Sequence, residues 1–115
     1  MKNALLIDLG GTNVRHAFFI NNTLSKISKE KISDKEFIPF ITKLLNGAEN
    51  KIEYLVIAAA GPNNHSFINL TNRNLLINSS ELEATLNLKK CLLLNDWEAV
   101  AFSLSEMKKK IFFIN

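Results

Sequence analysis

Two aspartates, Asp8 and Asp96, stand at or just beyond the ends of short apolar runs, each among residues suited to holding a polar ligand. Asp8 opens the stretch Asp8-Leu9-Gly10-Gly11-Thr12-Asn13. Adjacent glycines let backbone N–H groups come close to an anion, and Thr12 and Asn13 add polar contacts. A carboxylate beside such a loop suits Mg2+, usually held through water, while the loop holds phosphate oxygens. No Gly-Lys-Ser/Thr follows, so this is not a Walker A loop, and the strand-like residues after it exclude a dinucleotide fingerprint. A plain Gly-Gly hairpin turn is the alternative. Asn95-Asp96 follows Leu92-Leu93-Leu94 and precedes a helical pattern. Asp96 is either an N-cap or a general base that takes a proton from a substrate hydroxyl. The positive helix end keeps it ionised, and phosphoryl transfer tolerates a weak base because positioning and electrostatics supply most of its rate. A third apolar run ends at Ala59-Ala60-Gly61-Pro62. In open α/β sheets ligands bind outside the carboxyl ends of strands, so these ends together carry more than any one of them.

Other chemistry-bearing residues have blander readings. Cys91, at a strand start, reads as a small buried hydrophobe, and His65, amid asparagines, as a loop residue. Trp97 and Met107 read as core, and Lys108-Lys109-Lys110 as a solvated helix end. One cysteine excludes an internal disulfide, and with His16 and His65 it is too little for a zinc cluster.

The elements that must position these groups follow from periodicity. Ala4-Leu5-Leu6-Ile7 is a continuous apolar run, the pattern of a strand buried on both faces. Residues 14–20 form a second strand, Asn21-Asn22 a tight turn, and residues 23–32 a third strand at an edge, giving an antiparallel meander. Ser33 and Glu36 have capping-box spacing ahead of a helix whose Phe37, Ile41, Leu44 and Leu45 share a face. Pro39 moves its start toward Phe37, and Asn46-Gly47 closes it. Residues 53–58 make the fourth strand, and residues 63–78, rich in asparagine, a loop with short extended pieces. Ser80 and Glu83 cap a short helix, residues 91–94 form a fifth, buried strand, and a longer helix starts at Asp96. The reading is an α/β fold with a five-stranded mixed sheet and flanking helices.

Composition sets the outer limits. At 115 residues and 47% apolar, the chain is one folded domain or a piece of one. The apolar stretch 54–61 is too short to span a bilayer, and the first residues are too short for a secretory signal, so a cytoplasmic protein without membrane contact is expected. Net charge is +3, yet only Arg15 and Arg73 among the 14 basic residues are arginines, and the lysines are scattered except for Lys89-Lys90 and Lys108-Lys109-Lys110. That distribution argues against a nucleic-acid partner.

In order, Asp8-Leu-Gly-Gly-Thr-Asn-Val-Arg15, Ile57-Ala-Ala-Ala-Gly-Pro62, Thr71-Asn72 and Leu92-Leu-Leu-Asn-Asp96 resemble the bacterial glucokinase family, within the wider group of sugar kinases, actin and heat-shock chaperones. The resemblance implies a ribonuclease H-like, actin-like ATPase fold, with this chain as the N-terminal lobe and the C-terminal ATP-binding lobe lying outside it. It implies ATP- and Mg2+-dependent phosphorylation of glucose at its 6-hydroxyl, the first step of glycolysis. By the same resemblance residues 8–13 form the first phosphate loop, Asp8 the metal ligand and Asp96 the catalytic base. Asn95, Gly61, Pro62, Thr71 and Asn72 lie along the sugar cleft. The family often has an aromatic residue shortly after the Thr-Asn pair, where this chain has Asn74-Leu75-Leu76. Two other functions compete: a sugar-sensing module of the same fold, which has no need of a base, and a ribonuclease H-like nuclease, which has no use for the glycine loop. The apolar run 111–114 makes a homodimer through that end a further expectation.

Overall fold

A computed structural model of the chain describes residues 3–10, 13–59, 63–64, 67–70 and 75–94. Its centre is a mixed sheet of β1 (Ala4–Leu9), β2 (Val14–Ile20), β3 (Thr23–Leu24), β4 (Ser28–Glu30), β5 (Tyr54–Ala59) and β9 (Lys90–Leu94). The order is β3-β2-β1-β5-β9, with β4 also on β2. β2 runs antiparallel to β1, whereas β1, β5 and β9 are mutually parallel. Continuous apolar sequence fits these three, because a parallel strand between covered faces has no polar side to show. Leu5, Leu6, Ile7, Leu55 and Ile57 are all fully buried. Each such side chain contributes roughly 1.5–3 kcal/mol by leaving water, before the entropy of ordering it is set against that gain.

Successive residues of β1 divide between the faces. Leu5, Ile7 and Leu9 join a core with Leu55, Ile57, Leu93 and the buried residues of α1 (Phe37–Gly47) and α2 (Ser79–Leu86). Ala4 and Leu6 pack on the other face with Phe19, Val56 and Ala58.

The meander is present, with one correction. Where residues 23–32 read as a single third strand, the sheet holds two short strands, so it has six strands rather than five. Leu24 pairs with Phe19 and Ser28 with His16, so four steps along the edge match three along β2. This one-residue slip is a β-bulge, bridged where the Phe18 N–H donates to Ser25 Oγ at 2.8 Å. Asn21 and Asn22 take φ of 54° and 62°, the left-handed pair a two-residue hairpin turn requires.

Ser33 and Glu36 do meet. The Ser33 N–H and Oγ–H donate to Glu36 Oε1 at 3.1 and 2.7 Å, and these bonds hold the Glu36 carboxyl below its ordinary range. They close a 3-10 turn, Asp34–Glu36, that leads into α1. Pro39 lies in the first turn of α1, where a missing N–H matters least.

Two further readings are corrected. Residues 63–78 contain a second, antiparallel sheet, β6 (Asn63–Asn64), β7 (Phe67–Leu70) and β8 (Leu75–Asn78), in place of a loop with extended pieces. α2 is capped by Asn78, whose Oδ1 accepts from the Glu81 N–H at 3.0 Å, rather than by Ser80 with Glu83. Glu83 turns to the sheet instead, and its Oε2 accepts from the Cys91 N–H at 2.8 Å. Asn87, at φ 55°, ends α2.

Candidate functional site

Because β1, β5 and β9 are parallel and in register, their carboxyl ends fall at one end of the sheet. Leu9 lies opposite Ala59, and Ala58 opposite Leu94. The three strands therefore end side by side, at Leu9, Ala59 and Leu94. The three apolar runs read from sequence are thus brought together as expected, and this edge is the candidate site.

The first exit is a tight turn. The Gly10 N–H donates to the Asn13 carbonyl at 2.9 Å, and Val14 then pairs back onto Leu9. A Cβ on residue 10 would sit 3.0 Å from that carbonyl oxygen, so the turn closes this tightly only over glycine. Leu9 and Asn13 flank the turn, with Leu9 buried in the core beneath it.

Asp8 lies one residue before the end of β1, on the face shared by Ala4 and Leu6. Across the antiparallel register its partner is Arg15, and across the parallel register Ala58. Arg15 Nε stands 3.3 Å from Asp8 Oδ2, with the Asp8 side chain 12% exposed and that of Arg15 53% exposed. The aspartate is thus held almost inside the sheet by a cation that keeps its outer half in water. Such a pair lets a carboxylate remain charged at a position that would otherwise favour neutralisation. The pair did not emerge from the sequence reading, yet a signal was present: Asp8 and Arg15 are equally far from the 10–13 turn, with opposite charge. An antiparallel ladder closing on that turn brings them face to face.

Asp8 and the 10–13 turn fit a magnesium–phosphate group on chemical grounds. Mg2+ takes hard oxygen ligands, commonly one or two carboxylates with substrate phosphates, and Asp8 is a carboxylate that the sheet holds beside Gly10 and Asn13. Among the described residues no group of three His, Cys, Asp or Glu side chains gathers into an all-protein metal cage. Gly11, Thr12, Gly61, Pro62, Thr71, Asn72, Asn95 and Asp96 lie outside the described residues, as do the helix read from Asp96 onward and the run 111–114. Leu94, which Asn95 follows, is fixed at the shared edge by its pairing with Ala58. Among the described residues no helix is long and apolar enough to cross a membrane.

The chain is similar to known proteins over most of its length. The glucokinase family model matches residues 5–113. A glucokinase of Sinorhizobium fredii (strain NBRC 101917 / NGR234) is 31% identical over 105 residues, covering 88% of this chain and 31% of that protein. A glucokinase of Campylobacter jejuni subsp. doylei is 31% identical over 106 residues, covering 90% of this chain and 32% of its own. The chain thus spans about a third of the length of these relatives. Among solved structures, a glucokinase from Balamuthia mandrillaris in complex with glucose superposes with a TM-score of 0.65 at 24% identity, covering 95% of this chain and 33% of that one. A glucokinase from an Antarctic psychrotroph gives 0.60 at 17% identity, covering 82% of this chain and 32% of its own. At such identities the likeness establishes the sugar-kinase, actin-like fold alone. With the family model matching nearly the whole sequence, the chain belongs to the glucokinase family.

Proposed function

We propose that this chain is the N-terminal, sugar-binding part of a cytoplasmic, glycolytic kinase that transfers phosphate from ATP to the 6-hydroxyl of glucose. The observation that carries the reading is the in-register edge of β1, β5 and β9, where a glycine-closed turn and a paired, nearly buried carboxylate meet. The family match and a glucose-bound relative of the same fold support it.

In this reading the 10–13 turn receives phosphate oxygens, and Asp8 holds Mg2+, whose charge would offset that of the phosphates. Asp96 takes the proton of the attacking hydroxyl, Asn95 hydrogen-bonds the sugar, and Gly61, Pro62, Thr71 and Asn72 line its cleft. Arg15 holds the Asp8 carboxylate in place, so it need not reorganise when a ligand arrives. Most of the rate then comes from holding nucleotide and hydroxyl in line.

The test is a chimera in which this chain replaces the matching third of the Sinorhizobium fredii glucokinase. Asp96→Asn is expected to lower kcat about 10²–10⁴-fold, the usual loss for a general base. Asparagine caps helices as well as aspartate, so stability should stay within about 1 kcal/mol of the parent. Equal turnover in parent and variant would leave Asp96 a capping role only. The 115-residue chain by itself, tested in a coupled assay, is expected to phosphorylate no glucose, and robust turnover there would overturn the division of labour proposed.

A further inference from the structure

A buried imidazole lies outside this site. His16 is in β2, with Ile7 of β1 opposite it on one side and Ser28 of β4 on the other. It is 8% exposed, and its Nδ1 is buried with no hydrogen-bond partner. Its ring stands edge-on to Phe18, at 6.2 Å between centroids and 84°, and to Phe40 of α1, at 5.6 Å and 76°. The imidazole therefore serves as apolar filling in the seam between β2 and α1.

A neutral imidazole tolerates this place, because Nδ1 then forgoes only an accepted hydrogen bond. A protonated one does not. Both ring nitrogens become donors, Nδ1–H finds no acceptor, and a full charge sits where water is largely excluded. The surroundings offer little relief. Ile7 of β1, Phe40 of α1, Phe18 of its own strand and Ser28 of β4 carry no charge. Arg15 lies on the opposite face with Asp8, and Lys29 of β4 and Lys43, one turn beyond Phe40 in α1, are exposed. Burial holds the imidazole below its ordinary 6.5, outweighing Glu30 of β4, which favours the cation.

We propose that His16 makes the seam between α1 and β2 acid-labile: taking up a proton drives the ring from between Phe18 and Phe40 and loosens α1 from the sheet. β2 begins at the 10–13 turn, so acid weakens the strand that fixes one side of the candidate site. The unfolded chain binds this proton near pH 6.5 and the folded chain only at lower pH. The stabilisation is therefore complete above about pH 6.5 and is lost as pH falls below it, raising the unfolding constant by up to about tenfold per pH unit for one proton.

Urea unfolding of the 115-residue chain between about pH 7.5 and 5.5, where carboxylates stay ionised, reads this slope. His16→Phe, which keeps the aromatic filling, is expected to abolish it, and Glu30→Gln to prolong it to lower pH. In the parent, NMR titration of the His16 ring should give a midpoint below 6.5, with α1 amide signals changing at the same pH. Equal slopes for parent and His16→Phe would overturn the proposal. So would a ring that titrates at or above 6.5 while α1 stays unchanged, a measurement that needs no variant to fold.

Discussion

Asp8 and His16 lie on neighbouring strands of one sheet and are almost equally removed from water, with the Asp8 side chain 12% and His16 8% exposed. Asp8, on the face of Ala4 and Leu6, meets a guanidinium across the ladder; His16, on the face covered by α1, meets two phenyl rings. The contrast shows what decides the state of a half-hidden polar group. Depth is similar in the two cases, and the partner across the register differs. At the strand end a guanidinium faces the carboxylate, whereas beneath α1 burial holds the imidazole below its ordinary value and Nδ1 has no partner.

The largest effect that would break this comparison comes from Ile7→Ala. Ile7 is fully buried beside His16, and truncating such a residue costs about 2–5 kcal/mol. The space left would also let water reach the imidazole, so acid sensitivity should become shallower even as overall stability drops. Urea titrations at about pH 7.5 and 6 separate the two changes. An unchanged acid slope would place the source of that slope elsewhere.

A smaller effect is expected on the other face. Arg15→Gln removes the counter-charge of Asp8 and should cost about 1 kcal/mol, since water already screens the half-exposed guanidinium. Arg15→Lys should recover part of this, and the loss should shrink in high salt. A double-mutant cycle with Asp8→Asn measures the coupling directly, and a coupling of zero would strip the 3.3 Å contact of any energetic role.

The smallest effect sharpens the rule with a third group. Burial, with help from the Glu83 carboxylate, pushes the Cys91 thiol from 9.0 up to about 12. Its sign is opposite to that of His16. The folded chain keeps this proton longer than the unfolded chain does, so the contribution is complete below about pH 9 and is lost as pH rises beyond it. Near neutrality no change in stability is expected, and iodoacetamide should label Cys91 only through unfolding. Labelling of the folded chain at the rate of a free thiol would contradict the burial.

Legibility in the sequence followed how local each feature is. The parallel strands were plain because uninterrupted apolar runs such as Ala4-Leu5-Leu6-Ile7 have few other readings. The Asn21-Asn22 turn and the Ser33–Glu36 start of the helix were legible because each rests on the chemistry of two residues near in sequence. The bulge between β3 and β4 was not, because a one-residue slip is a relation between two strands and leaves no mark on either. The second sheet was hidden by asparagines, which signal turns even where Phe67, Ile68 and Leu70 supply strand residues. Within the candidate site, the glycine turn and the strand ends could be read in advance. The Asp8–Arg15 pair left only its equal spacing about the 10–13 turn as a signal, and the buried seat of His16 under α1 needed the tertiary packing.

The slip at the meander's edge also governs what this sheet does in a crowd. An incoming strand extends a sheet by matching a regular ladder of amide and carbonyl groups over several residues. Along residues 23–30 that ladder changes phase halfway, so no straight strand can match both halves at once. Lys26, Lys29 and Lys31 project from the same exposed stretch and repel a second copy of themselves. The bulge thus breaks the regular ladder at this border, and one extra residue makes it a poor template for a further strand.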